Sequence, residues 1–166
     1  MNEEFNDIIN SLINNEKVKE MKNYRQHCNT SCYDHSYSVA YLTYKISKKL
    51  NLDYVSATRG AMLHDLFLYD WRKSKRFNFH AFKHGKIAYL NARKECDLND
   101  IESDMIIKHM WPITIKPPKY KEGFVLTIAD KVCASKEILN SLVVFLNDNP
   151  VVRYAYLFYV FVFKNI

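Results

Sequence analysis

The sequence predicts an all-α protein with a single domain. Apolar residues recur at helical spacing along most of the 166 residues. The chain has only three glycines and four prolines, too few for the frequent turns of a β-sandwich. No repeat, linker or low-complexity tract divides it, and one domain per ~150 residues is usual. We therefore expect one helical domain over residues 1–166, with its core at about 25–140.

The first three predicted helices follow from apolar stripes and the signals that end them. The stripe near the N-terminus is closed by asparagines at 14–15, so residues 1–24 should carry an N-terminal helix. A second stripe over 39–50 is closed by Asn51. Asp53 is suited to cap the third helix, which is apolar on two faces and should therefore be central.

Three further helices are expected downstream. One follows Gly85, and Asn99 with Glu102 fits a capping box that opens the next. Pro112 should end that helix, because proline cannot continue it. The stripe from 125 to 146 predicts a long last helix, either continuous or broken.

Residues 150–166 form an apolar C-terminal segment rich in Val, Phe and Tyr. Periodicity alone leaves open a buried helix, a docking segment or a strand. Exposed, the segment would favour aggregation, so we expect it to be covered or paired, with a homodimer as one form of pairing. Its longest apolar run, Tyr154 to Phe163, has ten residues. A membrane span needs about 20, so none is predicted and no membrane partner is expected.

Charge and composition exclude several classes of protein. The net charge of +6 favours anionic partners, but the basic residues are mostly dispersed, and no specific nucleic acid is expected. Three glycines cannot form a dinucleotide-binding motif, a P-loop or a nucleophile elbow. Four cysteines occur in a chain that begins with an acidic, amphipathic stretch, which indicates reduced thiols and a cytoplasmic protein.

Six titratable residues fall on the inward faces of the predicted helices. They are His35, His64, Asp65, His84, His109 and Asp130. Any one of these histidines alone is more simply a satisfied core residue. Burying all six without compensation would cost kcal/mol for each group, and most for the carboxylates. A metal ion removes this cost because imidazole and carboxylate are natural metal ligands.

The order of these residues resembles the H…HD…D pattern of the HD-domain superfamily of metal-dependent phosphohydrolases. His35 opens a helix, the His64-Asp65 doublet follows small and apolar residues, and Asp130 lies far downstream. The resemblance covers roughly residues 25–140. It implies a helical HD fold and a hydrolase of the phosphatase or phosphodiesterase class.

Two further histidines between the doublet and the last aspartate make the chain similar to the two-metal branch, which includes HD-type bis(5′-nucleosyl)-tetraphosphatases. The resemblance implies a first metal held by His35, His64, Asp65 and Asp130. It implies a second metal held by His84 and His109, with Asp65 as the bridge. Two divalent transition-metal ions are therefore expected, with iron or manganese favoured over zinc because thiolates are absent from the set. The glycine pair of HD-GYP enzymes is missing, which disfavours a cyclic dinucleotide.

One position departs from relatives of this branch, which often carry lysine three residues after the doublet. Leu68 occupies it here. Lys131, beside the last ligand, and Arg59, a turn before the doublet, are candidates for a replacement cation. Asp65 and Lys131 are thus the predicted catalytic residues.

The candidate substrate contacts lie between the doublet and the second pair of histidines. Arg72, Lys73, Lys75 and Arg76 form a basic loop that either steers a phosphate or is simply solvated. Trp71, Phe77 and Phe79 lie within and beside it and could stack on a base.

His80 and His27 each allow more than one interpretation. His80, one turn before His84, is either a substitute metal ligand or a hydrogen-bond donor to substrate. The resemblance favours His84 as the ligand. His27 with Cys28 and Cys32 superficially resembles a zinc site but lacks a second cysteine pair.

The favoured function is hydrolysis of a phosphate ester or anhydride in a small anionic substrate, with a nucleotide preferred. Two alternatives share the same ligand order. One is a mixed-valent diiron oxygenase similar to myo-inositol oxygenase, and the other is a non-catalytic HD protein that binds metal. The complete set of six ligands favours an enzyme.

Overall fold

The computed structural model describes residues 2–72 and 80–164, and these residues are mainly helical. Their α-helices are α1 (Glu3–Ile13), α2 (Glu16–Glu20), α3 (Cys32–Lys49), α4 (Tyr54–Leu63), α5 (His80–Glu95), α6 (Asp100–Lys108), α7 (Lys121–Asp148) and α8 (Pro150–Lys164). A short 3₁₀ helix, Met21–Asn23, follows α2. Within these ranges the only β-type pairing is one isolated bridge, so the predicted all-α class is confirmed.

Side-chain caps fix where three of the helices begin. The side chains of Ser31 and Asp53 each accept a hydrogen bond from the backbone N–H three residues later, at 3.1 and 3.0 Å. Asn99 and Glu102 complete the predicted capping box at the start of α6. The end of α6 differs from the expectation, because the helix stops at Lys108, four residues before Pro112.

Helix α4 lies at the centre of the bundle, as its two apolar faces predicted, and contacts α1, α3, α6 and α7. Ala57, Ala61 and Met62 are fully buried. A Cβ atom at Gly60 would lie only 3.3 Å from the sulfur of Met105, which shows how closely α6 packs on α4. Burial on most sides of α4 fixes the residues at its C-terminal end.

The inward faces of α3 and α7 differ from the predicted apolar stripes. On α3 the buried residues include Ser36, Thr43 and Ser47, whereas Leu50, which follows the helix, is 56% exposed. On α7 Ala129 is buried, whereas Ile128 is 58% exposed. Both helices turn several small and polar residues inward, and His35 of α3 and Asp130 of α7 are buried on these faces.

The C-terminal segment is helical over Pro150–Lys164, which excludes the strand that its composition left open. Helix α7 runs without a break to Asp148, and α8 follows after one residue. The side chains of α8 are mostly exposed, so this chain alone does not cover them. No helix in the described ranges has both the length and the apolar content needed to cross a membrane.

Ile9 tests whether α1 is part of the core. Its side chain is fully buried, so Ile9→Ala should lower the free energy of unfolding by about 2–5 kcal/mol through lost burial and a residual cavity. Ser11→Ala, at an exposed position of the same helix, is the control and should change it by less than about 0.5 kcal/mol. Urea denaturation measures both, and equal effects would show that α1 does not dock as described.

Candidate metal centre

The six titratable side chains singled out in the sequence meet in one buried cluster. His35 comes from α3, His64 and Asp65 from the end of α4, His84 from α5, His109 from the end of α6, and Asp130 from α7. None of the six is more than 9% exposed. Residues separated by up to 95 positions in the chain thus share one site.

Asp65 lies at the middle of this cluster, and its two carboxylate oxygens face different imidazoles. The Oδ2 atom is 3.2 Å from Nε2 of His64. The Oδ1 atom is 3.3 Å from Nε2 of His84 and 3.6 Å from Nε2 of His109. The cluster can therefore be divided into two halves that share one carboxylate, although ligand atoms of His64, Asp65 and His109 also lie within 4.8 Å of one another across this division.

The first half is formed by His35, His64 and Asp130. The Oδ1 atom of Asp130 is 3.1 Å from Nε2 of His35 and 3.8 Å from Nε2 of His64. These three ligand atoms all lie within 4.8 Å of one another. They have the spacing of ligands that surround a common ion.

The second half is formed by His84 and His109, whose Nε2 atoms are 2.7 Å apart. Gly85 makes this approach possible. A Cβ atom there would lie 2.9 Å from the carbonyl oxygen of Ile106 and 3.0 Å from that of Ile107. Any larger residue at 85 would therefore push α5 away from α6.

Helix ends orient two of the imidazoles. His64 and His109 are the C-cap residues of α4 and α6. Their Nδ1 atoms lie 2.7 Å from the carbonyl oxygen of Ala61 and 2.8 Å from that of Ile106, respectively. A carbonyl can only accept, so each Nδ1 carries the proton, and each Nε2 keeps its lone pair. The last-turn carbonyls lack partners within the helix and are free for this purpose.

Glu137, which sequence analysis missed, orients His35. Nδ1 of His35 is 3.0 and 3.2 Å from the two oxygens of the Glu137 carboxylate, to which it donates. Its Nε2 atom is thereby directed at Asp130. Glu137 lies seven residues after Asp130, so the two acids share one face of α7. The spacing of seven residues from Asp130 is the sequence signal that could have identified Glu137.

Gln26 was also missed, because it belongs to the loop before α3, where no periodicity marks inward residues. Its Nε2 atom donates to Oδ2 of Asp65 at 2.5 Å. A hydrogen bond of 2.8 Å from the backbone N–H of Thr30 to the carbonyl of His27 shapes the loop. The ring of His27 packs edge-on against His35, with centroids 5.2 Å apart.

A cysteine zinc site is not formed by His27, Cys28 and Cys32. Cys28 is exposed, whereas Cys32 is buried and donates to the backbone oxygen of Asp65 at 3.1 Å. None of the possible metal-ligand groups in the described ranges contains a cysteine.

The two aspartates are held in their ionised form. Burial would raise the pKa of Asp65, but its neighbours His64, His84 and His109 hold it well below the usual range. Burial likewise opposes ionisation of Asp130, but the hydrogen bond to His35 and the neighbouring imidazole of His64 lower its pKa. The cluster thus contains two buried negative charges that require compensation.

The imidazoles differ in how they respond to this charge. Burial would lower the pKa of His35, but hydrogen bonds to Asp130 and Glu137 raise it to about 9. Burial and the neighbouring imidazole of His84 lower the pKa of His109 to about 3. His109 is therefore neutral near pH 7, which is the form that ligates a metal.

Two orphaned atoms show that the cluster fits a metal ion. Nε2 of His64 and Oδ1 of Asp65 are buried and have no hydrogen-bond partner among the described residues. Leaving such an atom unsatisfied costs about 1–3 kcal/mol. Both atoms are metal donors, so a divalent ion would satisfy them and also neutralise the aspartates.

A cavity of about 420 Å³ opens above the cluster. Asp65, His84, His109 and Asp130 are among its lining residues. Its other walls include Gln26, His27, Trp71, Met110, Ile113 and Lys131. The cavity therefore combines a polar base with apolar and aromatic walls, large enough for part of a small organic molecule.

The predicted cations have different positions relative to this cavity. Lys131 lines it. Arg72 lies beside two lining residues, with its guanidinium 5.4 Å from the Trp71 ring centroid and 3.4 Å from the carbonyl of Gln26. Arg59 points elsewhere, because its Nε atom pairs with the buried carboxylate of Glu102 at 2.6 Å. Arg59 is therefore left out of the substrate site.

Several predicted residues lie outside what the structure describes. Lys73, Lys75, Arg76, Phe77 and Phe79 fall between the two described ranges, and His80 is described only as the first residue of α5. Leu68, at the position where relatives often carry lysine, packs against the core and has a positive φ of 50°.

Comparison with known proteins gives one family. The model of the HD domain matches residues 32–135, which is more than half of the chain. The chain belongs to the HD-domain family. No curated protein and no solved structure matched it. HD domains are generally metal-dependent hydrolases and bind divalent ions, and the matched region contains all six residues of the cluster.

Glu137 should strengthen metal binding by holding His35. Glu137→Ala should weaken the affinity for Mn²⁺ by roughly 10–100-fold, because the imidazole loses its hydrogen-bond acceptor and its fixed orientation. Glu137→Gln keeps an acceptor and should lose less. Lys136→Ala, at the preceding exposed position, should bind as the wild type does. Isothermal titration of metal-free protein measures all four.

An unchanged affinity in Glu137→Ala would show that this contact does not position His35. The variant His27→Ala distinguishes whether the Glu137 carboxylate orients His35 or binds a metal ion directly. The second role is available because His27, His35 and Glu137 also form a possible ligand group. Loss of one bound ion in both His27→Ala and Glu137→Ala would make Glu137 a direct ligand instead.

Proposed function

We propose that this protein is a two-metal phosphohydrolase that cleaves a phosphate ester or anhydride in a small anionic substrate, with a nucleotide preferred. The observation that carries the proposal is the position of Asp65. Its separate oxygens face His64 on one side and the His84–His109 pair on the other. A carboxylate shared by two ligand groups is suited to bridge two ions.

The ligand sets follow from the two halves of the cluster. The first ion would be held by His35, His64, Asp65 and Asp130. The second would be held by His84, His109 and Asp65. When bound, a pair of divalent ions polarises the phosphoryl oxygens and lowers the pKa of coordinated water. The donor set contains imidazole and carboxylate without thiolate, which favours iron or manganese over zinc.

The surrounding residues supply the other requirements of phosphoryl transfer. Lys131, next to Asp130 and at the cavity wall, offers a positive charge to a phosphate oxygen or the leaving group. Gln26 fixes the carboxylate of Asp65 through its hydrogen bond to Oδ2. Asp65 and Lys131 are thus the proposed catalytic residues, the first through the metals and the second through substrate.

The apolar walls favour a substrate with an organic group beside its phosphate. Trp71, Met110 and Ile113 also line the cavity and can cover a flat or hydrophobic moiety. Arg72, close to Trp71, adds positive charge beside this wall. This pairing of a cation with an aromatic ring suits a nucleotide, whose base can stack while its phosphates meet the ions.

Removal of single ligands should separate the two metal sites. Asp65→Ala should abolish phosphate release and the binding of both ions, because it removes the shared carboxylate. His109→Ala should lose one ion and retain the other. Asp7→Ala, an exposed aspartate on α1, is the control and should retain both. Metal analysis by mass spectrometry and phosphate release from a nucleotide panel measure these outcomes.

Equal loss of both ions in the two ligand variants would contradict separate sites joined by Asp65. The same assays run with and without dioxygen address the reaction class. Phosphate release that is indifferent to oxygen supports hydrolysis. Oxygen consumption coupled to loss of substrate would reject hydrolysis in favour of a diiron oxygenase.

A further inference from the structure

The last two helices carry a large apolar surface that the metal centre does not use. Fourteen large apolar side chains between Ile138 and Phe161 are each at least 39% exposed. They are Ile138, Leu139, Leu142, Val143, Val144, Phe145, Val151, Val152, Tyr154, Tyr156, Leu157, Phe158, Tyr159 and Phe161. We propose that a second copy of this chain covers these fourteen residues, here called the C-terminal apolar surface, and that the protein is a homodimer.

The area of this surface is sufficient for a stable dimer. At roughly 100 Å² for each half-exposed large side chain, the surface exposes on the order of 1,400 Å² per chain. A standard protein interface buries about 800 Å² per partner, and the largest apolar patch of a typical monomer is about 300–600 Å². The surface exceeds both values, so burying little more than half of it would give a standard interface.

Helix α8 requires cover on more than one side. Tyr156, Leu157 and Phe158 follow one another at about 100° around the helix, yet each is more than half exposed. Helix α7 contacts α8 but leaves these directions open. A helix that is apolar all round is normally buried inside a protein. A helical partner that surrounds α8 meets this need better than a flat lipid surface, which suits a helix with one charged face.

Charge also favours a second copy over an anionic membrane. The chain carries a net charge of +6. Residues 138–162 contain only two charged side chains, Asp148 and Arg153, which cancel. The face itself therefore adds no like-charge repulsion between two copies. Anionic membranes typically attract clusters of four to eight basic residues, and this surface has one.

A dimer with twofold symmetry would bury the C-terminal apolar surface in a closed assembly. In such a dimer the same patch serves both partners, so apolar residues of the surface on one copy meet apolar surface on the other. Two pairs of helices, α7 with α8 from each chain, would then pack as a four-helix arrangement. Closure pairs the C-terminal apolar surface within two chains, so this surface does not recruit a third.

The test measures the mass of the full chain in solution by sedimentation equilibrium over a range of concentrations. We expect twice the 19.7 kDa chain mass for the wild type. Phe158→Glu and Leu142→Asp should each shift the protein to the single-chain mass, because a buried charge opposes association. The two side chains are 70% and 50% exposed, so the substitutions suit the single-chain fold, which circular dichroism verifies.

Ile115→Glu is the matched control, since Ile115 is an apolar residue that is 94% exposed outside this surface. It should retain the dimeric mass. A monomeric wild type would overturn the proposal, as would a dimer unaffected by either α7 or α8 variant. Species whose mass keeps increasing with protein concentration, beyond that of a dimer, would contradict a closed twofold dimer. Binding of the wild type to phosphatidylserine vesicles as a monomer would assign the surface to a membrane instead.

Discussion

The burial of two ionised carboxylates among four imidazoles is the constraint on which the structure depends. Asp65 and Asp130 are at most 9% exposed, and among residues 2–72 and 80–164 their ion pairs are with histidines rather than with arginine or lysine. Such charges are tolerated in a protein interior only when they are compensated. Imidazoles compensate them in part, and a metal ion would do so more completely. The helices are arranged so that this compensation converges on one point.

The C-terminal ends of α4 and α6 orient the imidazoles of His64 and His109. His64 and His109 use last-turn carbonyls of α4 and α6 to hold the proton on Nδ1, while Glu137 does the same for His35. Each imidazole therefore presents Nε2 to the cluster before any ion arrives. This preorganisation links the termination of the helices to the chemistry of the site, because a shifted helix end would turn a ligand away.

Much of the fold and of the site was predictable from sequence because two strong regularities coincide. Helical periodicity and capping signals at Asp53 and Asn99 locate helices well, and the order of histidines and aspartates matches a family pattern. The exposed positions of Ile128 and Leu50 were not predictable from apolarity alone. His35 and Asp130 belong to the polar cluster and lie on the inward faces of α3 and α7. Small, polar and charged residues occupy buried positions on these faces, and several bulky apolar residues are exposed.

The residues that sequence analysis missed or misplaced act through tertiary contacts. Gln26 comes from a loop without periodicity, and Glu137 looks like an ordinary surface acid until α7 is packed against α3. Arg59 was a candidate for the replacement cation because it lies near the doublet in the chain, but its guanidinium pairs with Glu102 on α6. Proximity in sequence is a weak guide to side-chain direction on a central helix with several neighbours.

The most direct test of the central claim, a two-metal centre joined by Asp65, is anomalous diffraction from crystals of the metal-loaded protein. Data collected at the absorption edges of iron and manganese locate bound ions without reference to activity. The account predicts two peaks per chain about 3.5–4 Å apart, one beside His35, His64 and Asp130 and the other beside His84 and His109. A single peak, or a second peak that Asp65 does not contact, would contradict it.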